Sequence, residues 1–122
     1  MSVSIVGGTT SASAALAFND QTGTTYTFVL ADADNKLVTL SNASAIAVSI
    51  PTNASVAYPI GTQINLIQIG AGQVTVSAAT PGTTTVVSTG ATSASPKCRA
   101  QYSAITLVKK NTDSWYAIGD IA

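Results

Sequence analysis

The chain has 122 residues, enough for one domain with its own core, and it carries five basic residues, five acidic residues and no histidine. The zero net charge argues against the basic stripe of a nucleic-acid-binding protein and against binding to an anionic membrane. Without histidine, the Ser–His–Asp and Cys–His catalytic sets are excluded, so the composition does not favour an enzyme.

Charge is distributed unevenly along the chain. The sixty residues 37–96 contain no charged side chain and are rich in Val, Ile, Thr and Ser, the residues typical of strands. Charged side chains normally keep exposed sheet surfaces and edges from sticking to other chains. We therefore expect other molecules, including copies of this chain, to cover the surface that this stretch forms.

Residues 1–23 differ in composition from the rest. They are mostly Ser, Ala, Gly and Thr, with weak periodicity, and only Ala12 to Phe18 could form one or two helical turns. We predict that residues 1–23 are an N-terminal arm, flexible in isolation and ordered by a partner. Residues 24–122 are then the folded domain.

From Thr24 onward, apolar residues recur with a period of two, which indicates strands. The sequence predicts strands over residues 26–30, 36–41, 45–50, 62–69, 73–78, 83–88, 101–109 and 114–121. Gly70-Ala71-Gly72 predicts a hairpin turn between two of them. Many short strands with frequent turns predict an all-β fold: an antiparallel β-sandwich or a jelly-roll-like domain.

An acidic segment and a glycine-rich segment are the candidates for metal binding and for phosphate binding. Asp32 and Asp34 fit a solvated turn, since the glycine and the distal glutamate of a calcium loop are missing. Gly70-Ala71-Gly72 lacks the lysine and the helix of a phosphate loop. The sequence therefore predicts no metal, no cofactor and no catalytic residue.

Aromatic residues are the candidates for binding. Tyr58, Tyr102, Trp115 and Tyr116 could stack on a glycan or fill a subunit interface, since aromatic side chains suit both roles. The alternative places Trp115 and one tyrosine in the core.

The sequence leaves open the roles of a lysine pair and of a cysteine with two basic neighbours. Lys109-Lys110 ends a predicted strand and fits a charged edge that keeps the domain soluble. Cys98 fits an inert, reduced thiol, with an intermolecular or reactive thiol as the alternative. Its neighbours Lys97 and Arg99 would lower the thiol pKa if they stay close, and they could also meet an acidic partner.

An ordered series of segments resembles a domain found in structural proteins of tailed bacteriophages. The series runs through Tyr26-Thr-Phe-Val-Leu-Ala-Asp-Ala33, Lys36-Leu-Val-Thr-Leu40, residues 45–51, Tyr58-Pro-Ile-Gly-Thr-Gln-Ile64, Gly70-Ala-Gly-Gln-Val-Thr-Val76, Gln101-Tyr-Ser-Ala-Ile-Thr-Leu-Val-Lys-Lys110 and Trp115-Tyr-Ala-Ile-Gly-Asp120. It covers residue 24 to the end and matches least well over residues 78–100.

The resemblance implies a β-rich, trimeric virion component without catalytic residues. It implies either a capsid decoration (cement) protein or a module of a tail fibre that binds a host surface glycan. A single small domain with an arm favours the first. The expected partners are then the chain itself, as a homotrimer, and the major capsid protein. The expected location is the capsid surface of a virion assembled in the bacterial cytoplasm.

Overall fold

The computed structural model describes residues 15–122, and nine strands and one short 3-10 helix form its ordered elements. The strands are β1 (Ala17–Gln21), β2 (Thr25–Thr27), β3 (Lys36–Leu40), β4 (Ile46–Ile50), β5 (Gln63–Gln68), β6 (Val74–Ala78), β7 (Thr85–Val87), β8 (Ala104–Asn111) and β9 (Ser114–Gly119). The 3-10 helix, Leu30–Ala33, lies between β2 and β3.

The first six strands alternate between two sheets. β1, β3 and β5 lie side by side in a six-stranded sheet of order β1-β3-β5-β8-β9-β7, and β2, β4 and β6 form a three-stranded sheet in that order. All pairs within these two triplets are parallel. The chain therefore winds through three successive coils, each giving one strand to each sheet, as in a β-solenoid.

The coils stack closely at the corner where the chain passes from the six-stranded to the three-stranded sheet. Gly70 and Gly72 donate backbone hydrogen bonds to the carbonyls of Leu40 and Asn42, one coil earlier. A Cβ on Gly72 would lie 1.8 Å from the backbone oxygen of Ser44. Only glycine lets the two backbones approach this closely, so these glycines serve coil stacking.

The last three strands close one end of the solenoid. β8 pairs antiparallel with β5, β9 pairs antiparallel with β8, and β7 lies parallel to β9. Beside the three-stranded sheet, Cys98 donates a backbone hydrogen bond to Val74, and Val76 donates one to Pro96. The segment around Cys98 thus covers the free edge of β6.

The core lies between the two sheets and is built from inward-facing strand residues, together with Phe28 and Cys98 from the segments beside the strands, all with almost no exposure. Those below 2% exposure are Phe28, Val38, Leu40, Ile46, Val48, Ile50, Ile64, Leu66, Val74, Val76, Cys98, Ile105 and Leu107. They alternate with half-buried or exposed residues along each strand, as expected for sheets with one face on the core. This period of two agrees with the predicted strand positions from Lys36 onward.

The prediction of an antiparallel β-sandwich or jelly roll is wrong. The three-stranded sheet is entirely parallel and the six-stranded sheet is mixed. The Gly70–Gly72 hairpin prediction is wrong for the same reason, since β5 and β6 belong to different sheets. A period of two identifies a strand and its buried face, but it carries no information about the strand that pairs with it.

The structure also places the start of the folded domain earlier than residue 24. Ala17–Gln21, within the predicted arm, is β1 and pairs along its length with β3. Residues 1–14 of the arm, with part of the helical turn expected over Ala12 to Phe18, lie outside the described residues.

Candidate interaction surfaces

The outer surface of the three-stranded sheet carries only small, neutral side chains, and we call it the uncharged face. It consists of Thr25 and Thr27 from β2, Ala47 and Ser49 from β4, and Thr75 and Ser77 from β6. Parallel register places Thr25, Ala47 and Thr75 in one row and Thr27, Ser49 and Ser77 in the next. The small side chains leave this sheet surface flat, a shape that suits contact with another flat surface.

Among residues 15–122, the first coil carries the outermost strand of each sheet at one end of the solenoid, and we call this region the open end. There β1 is the last strand of one sheet and β2 the last strand of the other. Such outermost edges present backbone N–H and C=O groups, where a further strand could add by hydrogen bonding. Within the described residues, β7 to β9 close the opposite end of the solenoid.

An apolar groove lies beside β1 on the outer surface of the six-stranded sheet. It has a volume of about 410 Å³, and Phe18, Thr39 and Ile69 are among its lining residues. Phe18 is 64% exposed and stands opposite Leu37 in the register of β1 and β3. A large apolar side chain this exposed at a sheet edge favours association at this place.

Inside the open end, a polar cluster replaces the apolar core. Asp32 is 2% exposed and accepts hydrogen bonds from the Tyr26 hydroxyl (2.5 Å), the Asn19 side chain (2.8 Å) and the Val29 backbone N–H (2.9 Å). Burial first, then the hydrogen bond and charge of Asp32, raise the pKa of Tyr26 to about 12. Among residues 15–122 this cluster lies in the outermost coil, where hydrogen-bonded polar groups tolerate water.

The structure thus separates the two aspartates that the sequence placed together in a solvated turn. Asp34 is exposed, as expected, but Asp32 is buried and joins β1, β2 and the 3-10 helix. The solvated-turn interpretation is wrong for Asp32. Within residues 15–122, no group of three acidic, cysteine or histidine residues is arranged to hold a metal ion.

The four candidate aromatic residues divide into two pairs. Tyr58 and Trp115 are 3% and 2% exposed and pack edge to face with their ring centres 5.5 Å apart. Both therefore belong to the core, and neither presents a ring face on the surface of the chain. Tyr102 and Tyr116 are exposed, and a surface-binding role for them stays a prediction.

Tyr102 has an unusual backbone conformation. Its φ is 69°, in the left-handed region where bulky residues are rare, and its side chain is 66% exposed. The backbone N–H of Tyr102 donates to the carbonyl of Gln68 and holds the loop in place. Strained residues of this kind concentrate at binding sites, which makes Tyr102 the stronger candidate of the exposed pair.

Lys109 and Lys110 have opposite environments. Lys110 is exposed and lies 5.2 Å from the centre of the Tyr116 ring, as a cation–π contact. Lys109 is buried on the inward side of β8, and its ammonium donates to the Asn53 side-chain oxygen and the Tyr58 carbonyl, both at 2.7 Å. The interpretation of a charged edge or turn holds for Lys110 only as a turn, since β8 is an interior strand that leads into the turn before β9, and it is wrong for the buried Lys109. The sequence missed this buried lysine, although it stands in phase with Ile105 and Leu107.

Cys98 is fully buried, and its flanking cations do not activate it. Burial first, and then the charge of Asp120, raise the pKa of its thiol to about 11. Arg99 instead forms a bidentate ion pair with Asp120, at 2.7 and 2.9 Å. The expectation of a lowered thiol pKa is wrong, because the guanidinium is turned away to a carboxylate while the thiol lies in the core.

No protein-family model and no curated protein matches the chain. The helical element in the described part of the chain, a 3-10 turn of four residues, is far too short to cross a membrane.

Proposed function

We propose that this chain is a non-enzymatic structural protein of a tailed-phage virion, a trimeric capsid decoration protein that stabilises the assembled head. The observation that carries the proposal is the uncharged face, an exposed β surface without a charged side chain. The ordered series of segments that resembles phage structural domains supports the same assignment.

The positions of the charged residues explain why such a surface calls for a partner. The chain has ten charged residues, and two of them, Asp32 and Lys109, are buried. None of the ten is among the six residues of the uncharged face, and Lys97, the bridge partner of Thr75, stands at its border beside β6. Exposed strands of this kind pair with other chains unless charge or a covering surface prevents it. Copies of the same chain are the simplest cover.

Stabilisation of the head would follow from mass action. A protein that binds the assembled shell, and not its separate subunits, shifts the equilibrium towards the shell. Within residues 15–122, the open end with the groove at Phe18 is the surface left for the major capsid protein when the uncharged face is used between copies.

The first test is the oligomeric state and its dependence on the uncharged face. Light scattering at micromolar concentration should give three times the chain mass. Ala47→Lys places a charge at the centre of the face and should yield folded monomers, since a desolvated, unpaired charge is costly. The matched control is Ala54→Lys at an exposed loop position, which should remain trimeric. A monomeric wild type, or a trimeric Ala47→Lys variant, would contradict this arrangement.

A tail-fibre or receptor-binding module that holds a host glycan is the second candidate function. The exposed and strained Tyr102 favours it, as does a cavity of about 240 Å³ lined by Ser77, Thr84 and Ser95 among others. Sugars stack on aromatic rings, which Tyr102 offers, and form hydrogen bonds with hydroxyl groups, which the cavity offers at a separate place.

Location in the particle separates the two functions. Antibodies against the purified protein should label the whole head surface of phage particles, in many copies, when viewed by electron microscopy. Label confined to the tail tip would reject the decoration role and favour the glycan-binding module.

A further inference from the structure

Lys109 lies in a closed environment that we call the lysine pocket, formed by Asn53, Tyr58, Lys109 and Trp115. Lys109 is 2% exposed, and Trp115 is its direct partner in the register of β8 and β9. The ammonium lies 6.0 Å from the centre of the Trp115 ring. Tyr58 packs on the same ring, so aromatic surfaces separate the amine from solvent.

The lysine pocket contains no acidic partner for this amine. Its two hydrogen-bond acceptors, the Asn53 carboxamide oxygen and the Tyr58 carbonyl, are neutral. Within residues 15–122, the ion pair of the structure joins Arg99 and Asp120 instead. Burying an ammonium without an opposite charge is costly, and converting the amine to a neutral amide would remove that cost.

We propose that Lys109 and Asn53 join in an intramolecular amide (isopeptide) bond. The Nζ lone pair of the free amine attacks Cγ of Asn53, the new Nζ–Cγ bond forms, and the Cγ–Nδ2 bond breaks. The departing nitrogen takes up the protons that Nζ loses. In sum, one ammonium group and one carboxamide become one secondary amide and one ammonium ion, with no oxidation and no co-reactant.

The structure holds the two reacting groups in place. Nζ of Lys109 lies 2.7 Å from Oδ1 of Asn53, so the adjacent Cγ is within the reach of the amine. The Lys109 carbonyl accepts a hydrogen bond from the Gly61 N–H, and the Lys109 N–H donates one to the Thr62 carbonyl. These two hydrogen bonds fix the loop that follows Asn53 against β8. Holding the two groups together lowers the activation barrier of an amide exchange that is slow in solution.

Asp113 is the acidic residue beside Asn53 and positions its backbone. Its Oδ1 accepts hydrogen bonds from the Asn53 backbone N–H (2.8 Å) and the Thr84 hydroxyl (3.1 Å). The lysine ammonium passes its first proton to Oδ1 of Asn53, to which it already donates, and both protons that Nζ loses leave with the departing nitrogen. After the bond forms, the remaining N–H on Nζ still donates to the Tyr58 carbonyl.

Mass spectrometry of the full chain tests the bond directly. The folded wild type should weigh less than its sequence mass by one molecule of ammonia. Acylated Lys109 resists trypsin, so digestion should give one branched fragment in which residues 37–97 are joined to residues 100–110. A wild type of full sequence mass would overturn the proposal. Loss of ammonia with normal cleavage after Lys109 would also overturn it, because a succinimide at Asn53 would account for the mass.

Variants test the assigned roles. Lys109→Arg and Asn53→Ala should both have their full sequence masses. Asp113→Ala removes the acceptor of the Asn53 N–H and should keep its fold by circular dichroism while cross-linking at least tenfold more slowly, and Asp113→Asn, which keeps an acceptor oxygen, should restore the rate. Lys110→Arg is the matched control and should cross-link like the wild type. Cross-linking of Asp113→Ala at the wild-type rate would overturn the positioning role of Asp113.

Discussion

Replacing Gly72 by alanine is expected to destabilise the fold by about 3 kcal/mol, a loss at the upper end for overpacked positions. The new Cβ would lie 1.8 Å from the backbone oxygen of Ser44, and a backbone atom cannot move aside as a flexible side chain can. Relief requires the second and third coils to separate at this corner. Urea unfolding of the variant and the wild type at equal protein concentration measures the effect.

Gly23 provides a matched control for this prediction. It lies at the same corner in the first coil, at the open end, and an added Cβ would come no closer than 3.7 Å to the backbone of Thr25. Gly23→Ala should therefore change the free energy of unfolding by no more than about 0.5 kcal/mol. If both variants unfold at the same urea concentration, close stacking of the coils is not what requires glycine at position 72.

Replacing Asp32 by alanine is expected to cost about 3 kcal/mol. The substitution leaves the Tyr26 hydroxyl, the Asn19 amide and the Val29 N–H without their acceptor, at a site that is 2% exposed. The first coil should loosen most, because these three groups belong to β1, β2 and the segment that precedes the 3-10 helix. Hydrogen exchange should show the loss of protection in residues 17–33 before the rest of the chain.

Asp34→Ala is the control for Asp32, since Asp34 is exposed on the same turn and its loss should stay within about 0.5 kcal/mol. A second measurement is the titration of tyrosine absorbance. Asp32 helps to raise the pKa of Tyr26 to about 12, so this tyrosine should ionise at lower pH in folded Asp32→Ala. Equal stability of the two variants would contradict the central role of Asp32 in the first coil.

Gly72 and Asp32 serve two different requirements of a short solenoid. A short solenoid must hold its coils together through close backbone contact, and it must also end. Gly70 and Gly72 meet the first requirement at a corner between coils. For the part of the chain that the structure describes, Asp32 and its donors meet the second, because hydrogen-bonded polar groups can lie near water where an apolar interior could not.

Part of the candidate site was visible in the sequence. The charge-free stretch predicted an exposed neutral β surface, and four of the six residues of the uncharged face lie within it, while Thr25 and Thr27 come from before it. The alternative that placed Trp115 and one tyrosine in the core agrees with the burial of Trp115 and Tyr58. The sequence did not show whether Trp115 or Tyr116 faces the core, because the two alternate on one strand. Lys109 was missed, since a lysine at a strand end normally faces water and only its neighbours across the fold reveal the lysine pocket.

The sequence by itself determined where most strands lie and, for several of them, which residues face inward, because side chains alternate across a strand whatever its partner. It also determined the absence of histidine chemistry and the long stretch without charge. Only the tertiary structure decided that β5 and β6 enter different sheets, that Asp32 and Lys109 are buried, and that Trp115 rather than Tyr116 faces the core. These features depend on contacts between residues far apart in the chain, and a local pattern contains no record of which distant backbone or side chain will meet it.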